Sequence, residues 1–134
     1  MTKKELAIAL HDKGYNCCQS VVCAFKDELG VDEATLFKAG EGFGFGMGNS
    51  NGTCGAVSGA VMAAGFKNST ANFDGPKSKA DTYALCKKIL DAFEKKNGSL
   101  VCKDLKGIET GVVLRSCPGC IEDAVEIVQE VLGL

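Results

Sequence analysis

Between residues 40 and 52 the chain reads Gly40-Glu41-Gly42-Phe43-Gly44-Phe45-Gly46-Met47-Gly48-Asn49-Ser50-Asn51-Gly52, six glycines in thirteen residues. Glycine loses more conformational freedom on folding than any other residue, so this density predicts a loop and rules out a regular element. On either side of it apolar residues recur at helical spacing, and no alternating run marks a strand. The expectation is therefore an all-α fold, a compact single-domain bundle of about five to six helices interrupted by the glycine-rich loop. A length of 134 residues suits one core, so residues 1–134 read as a single domain. With 46% hydrophobic and 24% charged residues, neither a disordered nor a fibrous chain fits.

Capping signals divide the chain further. A first helix is expected over about residues 2–13, broken by Gly14. Asn16 can cap a second with Tyr15 or Cys18, Val22, Phe25 and Leu29 on one stripe, ended by Gly30. Asp32 opens a short helix to about Ala39. After the loop, Thr53 can cap a helix from Cys54 to about Phe66, rich enough in Gly and Ala to lie close to a neighbour. A polar linker precedes a surface helix over Ser78 to Lys96, and Ser99 can restart a short turn through Cys102. Ser116 then precedes a last helix with Ile121, Ala124, Val125, Val128, Val131 and Leu132 facing inward.

Eight cysteines are the compositional outlier: Cys17, Cys18, Cys23, Cys54, Cys86, Cys102, Cys117 and Cys120. The N-terminus shows no export signal, which points to the cytoplasm, where metal ligation or redox work is favoured over structural disulfides. Asn16-Cys17, Thr53-Cys54 and Ser116-Cys117 each put a cysteine directly after a capping residue, and Cys102 follows Ser99 inside a first turn. A helix start offers unpaired N–H groups and the positive end of the macrodipole, both of which favour thiolate. Cys17, Cys54, Cys102 and Cys117 are therefore the candidate chemical cysteines, an arrangement that suits either a cluster carrying four thiolates or a reactive thiol pair. Cys18, Cys23 and Cys86 read as packing residues. Cys120 completes a Cys117-x-x-Cys120 motif, a spacing shared by metal sites and dithiols.

Other chemistries find little support. With one histidine, His11, read as a solvated residue near a helix end, no nucleophile–histidine set can be built. No strand precedes the glycine loop and no Gly-Lys-Ser/Thr follows it, which argues against a phosphate cradle. Its N–H groups, with Gly44, Gly46, Gly48 and Gly55 as candidates, can instead donate to sulfur ligands of a cofactor; the plainer alternative is that Phe43, Phe45 and Met47 fill the core. A net charge of −2 without a basic stripe makes nucleic acid an unlikely partner, and no segment reads as membrane-spanning.

Gly14-Tyr15-Asn16-Cys17-Cys18-Gln19-Ser20-Val21, Gly42-Phe43-Gly44-Phe45-Gly46-Met47-Gly48 and Thr53-Cys54-Gly55-Ala56-Val57-Ser58-Gly59-Ala60 together resemble the C_GCAxxG_C_C family of redox-active proteins. Its four recurrent cysteines correspond to Cys17, Cys54, Cys102 and Cys117. A related helical domain occurs in split-Soret cytochromes and holds an iron–sulfur cluster there. The resemblance implies that these thiols ligate an iron–sulfur cluster, a [2Fe-2S] centre first, in a protein that carries electrons to a redox partner protein. The chain departs from the family pattern at Cys18 and Cys120, where other residues are usual, and Cys120 is then the alternate to Cys117 as a ligand or its partner in a local disulfide.

Two other readings stay open at this stage. One is a thiol–disulfide protein using Cys117 and Cys120, and the other is a structural zinc module. The small-residue helix from Cys54 also makes a homodimer possible by close packing.

Overall fold

The computed structural model describes residues 1–134. It is all-α, with nine helices, six of them of eight residues or more. α1 (Lys3–Asp12) begins at a capping box in which Thr2 accepts from the Glu5 N–H at 3.1 Å and Glu5 accepts from the Thr2 N–H. α2 (Cys17–Ala24) begins at a second box, Asn16 with Gln19. The stripe expected to run on to Leu29 breaks at Phe25, and α3 (Lys26–Leu29) is a separate turn closed by Gly30. α4 (Glu33–Glu41) is capped by Asp32, α5 (Gly44–Gly48) is a short turn, and α6 (Gly55–Asn68) is the small-residue helix. α7 (Lys79–Asn97), α8 (Cys102–Lys106) and α9 (Cys117–Leu132) complete the chain. No helix is long and apolar enough to cross a membrane.

The additional helices arise where the sequence analysis expected continuity or a loop. The glycine-rich segment contains α5, a regular turn of unusual hand: Phe45, Gly46 and Met47 have φ of 53°, 56° and 65°. A left-handed turn is open to glycine and costs about 1 kcal/mol or more at each other residue, so alternating glycines permit it at reduced cost. The turn points Phe43, Phe45 and Met47 outward, at 36%, 49% and 50% exposure, so the expectation that they fill the core is overturned.

The main core joins α1, α2, α6, α7 and α9 around Val21, Phe25, Val57, Ile89, Phe93, Ile121 and Val125. α2 is buried on every side from Cys18 to Ala24, and α6 lies against it. A methyl group at Gly59 would stand 2.8 Å from the Cys18 carbonyl oxygen and 3.0 Å from the Val21 Cβ. That approach explains the Gly/Ala composition of α6 through packing within the chain. α7 buries only Ile89, Phe93 and Asn97 and is the expected surface helix.

The close approach makes opposite predictions for two glycines of one helix. Alanine normally favours a helix interior over glycine by up to about 1 kcal/mol. Gly65→Ala, with nothing within 4 Å, should stabilise by that amount. Gly59→Ala should destabilise by about 1–2 kcal/mol, since overpacking outweighs propensity. Urea unfolding of both variants checks the signs; equal shifts would mean α2 yields freely.

Candidate functional site

Four helix starts meet beside the α5 turn. Cys17 opens α2 behind Asn16, whose side-chain amide also donates to the Gly40 and Glu41 carbonyls at 3.4 and 3.0 Å and so ties this end to α4. Cys117 opens α9 behind Ser116, which accepts from the Gly119 N–H at 3.1 Å. The other two starts differ from expectation. Thr53 forms an isolated antiparallel bridge with Val101, and the Cys54 N–H donates to Leu100 at 2.7 Å. That pairing keeps Thr53 extended, so Cys54 itself stands at the cap position and α6 begins at Gly55. Cys102 opens α8 behind Val101, while Ser99 accepts from the Val101 N–H at 3.0 Å and is not the cap.

Cys17, Cys54, Cys102, Cys117 and Cys120 all line one cavity of about 190 Å³, with His11, Phe45, Lys106 and Arg115 completing its wall. All eight cysteines are free thiols. Cys18 and Cys23 lie in the packed interior outside this cavity. Burial pushes their thiols up to about 12 and about 11, and raises Cys86, so all three favour the inert protonated form.

Within the cavity the thiols couple in two pairs. A hydrogen bond from Cys17 holds the Cys117 thiol down to about 6, with the Lys106 charge assisting against burial. Cys17, as the donor, is held well above its ordinary range. Cys54 is lowered by a hydrogen bond from Cys120 and by the N–H groups of Ala56 and Val57 at the open end of α6, against burial; Cys120 is raised in return. The two cysteines of the C-x-x-C motif therefore bond to different partners. Cys102 is raised by burial, with Lys106 opposing. Burial alone would lower the Lys106 ammonium, but the charges of Cys117 and Cys102 outweigh it and hold the ammonium above its ordinary value.

The candidate glycines take different places. A methyl at Gly46 would stand 2.5 Å from the Cys102 Cβ, one at Gly44 2.4 Å from the Asn16 Nδ2, and one at Gly55 3.3 Å from the Cys17 Cβ. These three let backbone approach the cysteine-bearing segments, whereas Gly48 faces open space.

Three basic residues line the cavity, and neither Lys106 nor Arg115 was legible as a site residue in the sequence. His11, expected to be a solvated residue near a helix end, is instead partly buried at the end of α1, where its Nδ1 donates to the Tyr15 carbonyl at 3.1 Å and its ring lines the cavity. Arg115 binds the buried Asp123 through two hydrogen bonds of 3.0 and 3.2 Å. Isolated basic residues in loops and short helices carry no periodic signal, so only the packing reveals them.

An all-α chain with five cysteines around one cavity defines a cysteine-rich redox protein. The family comparison gives the particular case: residues 15–131 match the family described as "Putative redox-active protein (C_GCAxxG_C_C)", and the chain belongs to it. No curated protein and no solved structure matches.

Proposed function

We propose that the cavity holds an iron–sulfur cluster, a [2Fe-2S] centre first, and that the protein carries electrons to and from a protein partner. The observation that carries this reading is the convergence of five cysteine side chains from four helix starts on one cavity, with Lys106 and Arg115 in its wall. The donor set fits such a group: thiolates are its ligands, and nearby cations and N–H groups offset its negative charge. Cys17, Cys54, Cys102 and Cys117 would be the ligands, with Cys120 within the same wall as the alternate. A cluster when bound supplies one-electron chemistry; the chain supplies the thiolates and their enclosure.

Protein purified or reconstituted without oxygen should contain iron and acid-labile sulfide and absorb in the visible, bleaching on reduction. Cys54→Ser and Cys117→Ser should each lose most of the iron, and Cys120→Ser should keep it. Colourless wild-type protein after reconstitution would end the cluster reading.

The second reading, thiol–disulfide exchange, is favoured by one observation, the Cys117 thiol held at about 6 beside Cys17. Its pair is then Cys17 with Cys117 in place of Cys117 with Cys120. Mild oxidation, removing two electrons and two protons from that pair, should give a Cys17–Cys117 bridge in peptide mass spectra.

A further inference from the structure

Lys106 is the half-buried last residue of α8, and its ammonium lies in the wall of the cysteine cavity. It joins no ion pair, although seven others occur, including those of its neighbours Lys103 with Glu109 and Arg115 with Asp123. Its Nζ sits 5.0 Å from the centroid of the Phe45 ring, within range for a cation–π contact. Phe45 reaches that position through its left-handed backbone, φ 53°, a conformation that costs energy and needs a compensating contact. The α5 turn therefore braces a cation that no carboxylate neutralises, and the groups it faces are thiols. Arg115, the other permanent cation of the wall, is tied by two hydrogen bonds to the Asp123 carboxylate, which it shares with Lys96.

We infer that Lys106 is a positioning residue of the redox site, the uncompensated cation that favours its electron-rich state, held at the cavity by the ring of Phe45. The inference rests on the reading of the cavity as a redox centre and adds the residue that sets how readily it accepts an electron. A fixed positive charge in a partly dry wall stabilises added negative charge, because protein screens it less than water does.

The test uses the full chain as wild type, Lys106→Met, Lys106→Arg and Lys103→Met, the last a control on the same helix. In anaerobically reconstituted protein, Lys106→Met should shift the reduction equilibrium roughly tenfold against reduction, about 59 mV for a one-electron couple. Lys106→Arg should restore most of the shift, and Lys103→Met should leave the potential in place. Equal potentials in all four loaded proteins would overturn the inference while leaving the cluster reading intact. If wild-type protein does not load, the cluster reading fails, and iodoacetamide labelling of metal-free protein decides on Lys106. Labelling of Cys117 should then be several-fold slower in Lys106→Met and near wild type in Lys106→Arg. An unchanged rate would overturn the inference in that arm.

Discussion

Gly46→Ala is expected to destabilise the protein by about 3 kcal/mol and to open the cysteine cavity to solvent. Two effects add. The residue sits at φ 56°, where a Cβ costs about 1–2 kcal/mol, and the new methyl would stand 2.5 Å from the Cys102 Cβ and 3.0 Å from the Gly52 carbonyl oxygen. Neither neighbour yields easily, since the Gly52 carbonyl accepts from the Cys102 N–H at 3.0 Å and the Ser50 carbonyl from the Lys103 N–H at 2.9 Å. The relaxation available is to unwind α5, which removes the wall over Cys102. Gly48→Ala separates the two effects, because Gly48 also has a positive φ, 84°, yet has nothing within 4 Å. It should cost about 1 kcal/mol and leave the cavity closed. Native-state labelling of Cys102, only 5% exposed, should rise toward the unfolded rate in Gly46→Ala alone. Equal labelling in both variants would mean that left-handed geometry, and not crowding, governs the turn.

Arg115→Ala is the second large effect, with an expected loss of about 3 kcal/mol at neutral pH. Asp123 is 2% exposed, and its carboxylate is balanced by Arg115 and by Lys96 at 2.7 Å. Removing the guanidinium leaves that buried charge with Lys96 alone, whose own side chain is half exposed. The arginine also lies across the first turn of α9, where a methyl at Gly119 would stand 2.5 Å from its Nε. Losing it therefore loosens the segment that presents Cys117 and Cys120.

The pH dependence follows from the same carboxylate. Burial pushes the Asp123 carboxyl up, but the hydrogen bonds from Lys96 and Arg115 outweigh it and hold the group below its ordinary value. A carboxyl with a depressed folded-state pKa contributes stability that is full above its unfolded value, about 4, and is lost as pH falls through the folded one. The gap between wild type and Arg115→Ala should therefore be widest near pH 7 and narrow below about pH 4. Urea midpoints at neutral and acid pH measure it. A gap independent of pH would assign the loss to packing of the arginine stem.

Much of the local structure was legible in the residues because it is decided over three or four positions. Asn16, Asp32 and Ser116 were each readable as helix caps, and each side chain accepts the expected N–H. The periodicity of α9 and the surface character of α7 are local in the same sense, as is the family pattern over residues 15–131. The same local rules misread Thr53 and Ser99. There a long-range bridge, Thr53 with Val101, moved the cap to Cys54 in one case and to Val101 in the other.

By itself the sequence determined a helical chain with cysteines at or beside several helix starts, because capping and glycine density act on neighbouring residues. Only the tertiary structure decided that those starts share one cavity, that Cys120 lines it with them, and that Lys106 and Phe45 stand at its wall. Those relations depend on how closely α6 approaches α2 and on the left-handed turn of α5. Both are set by contacts between segments far apart in the chain, which no local pattern encodes.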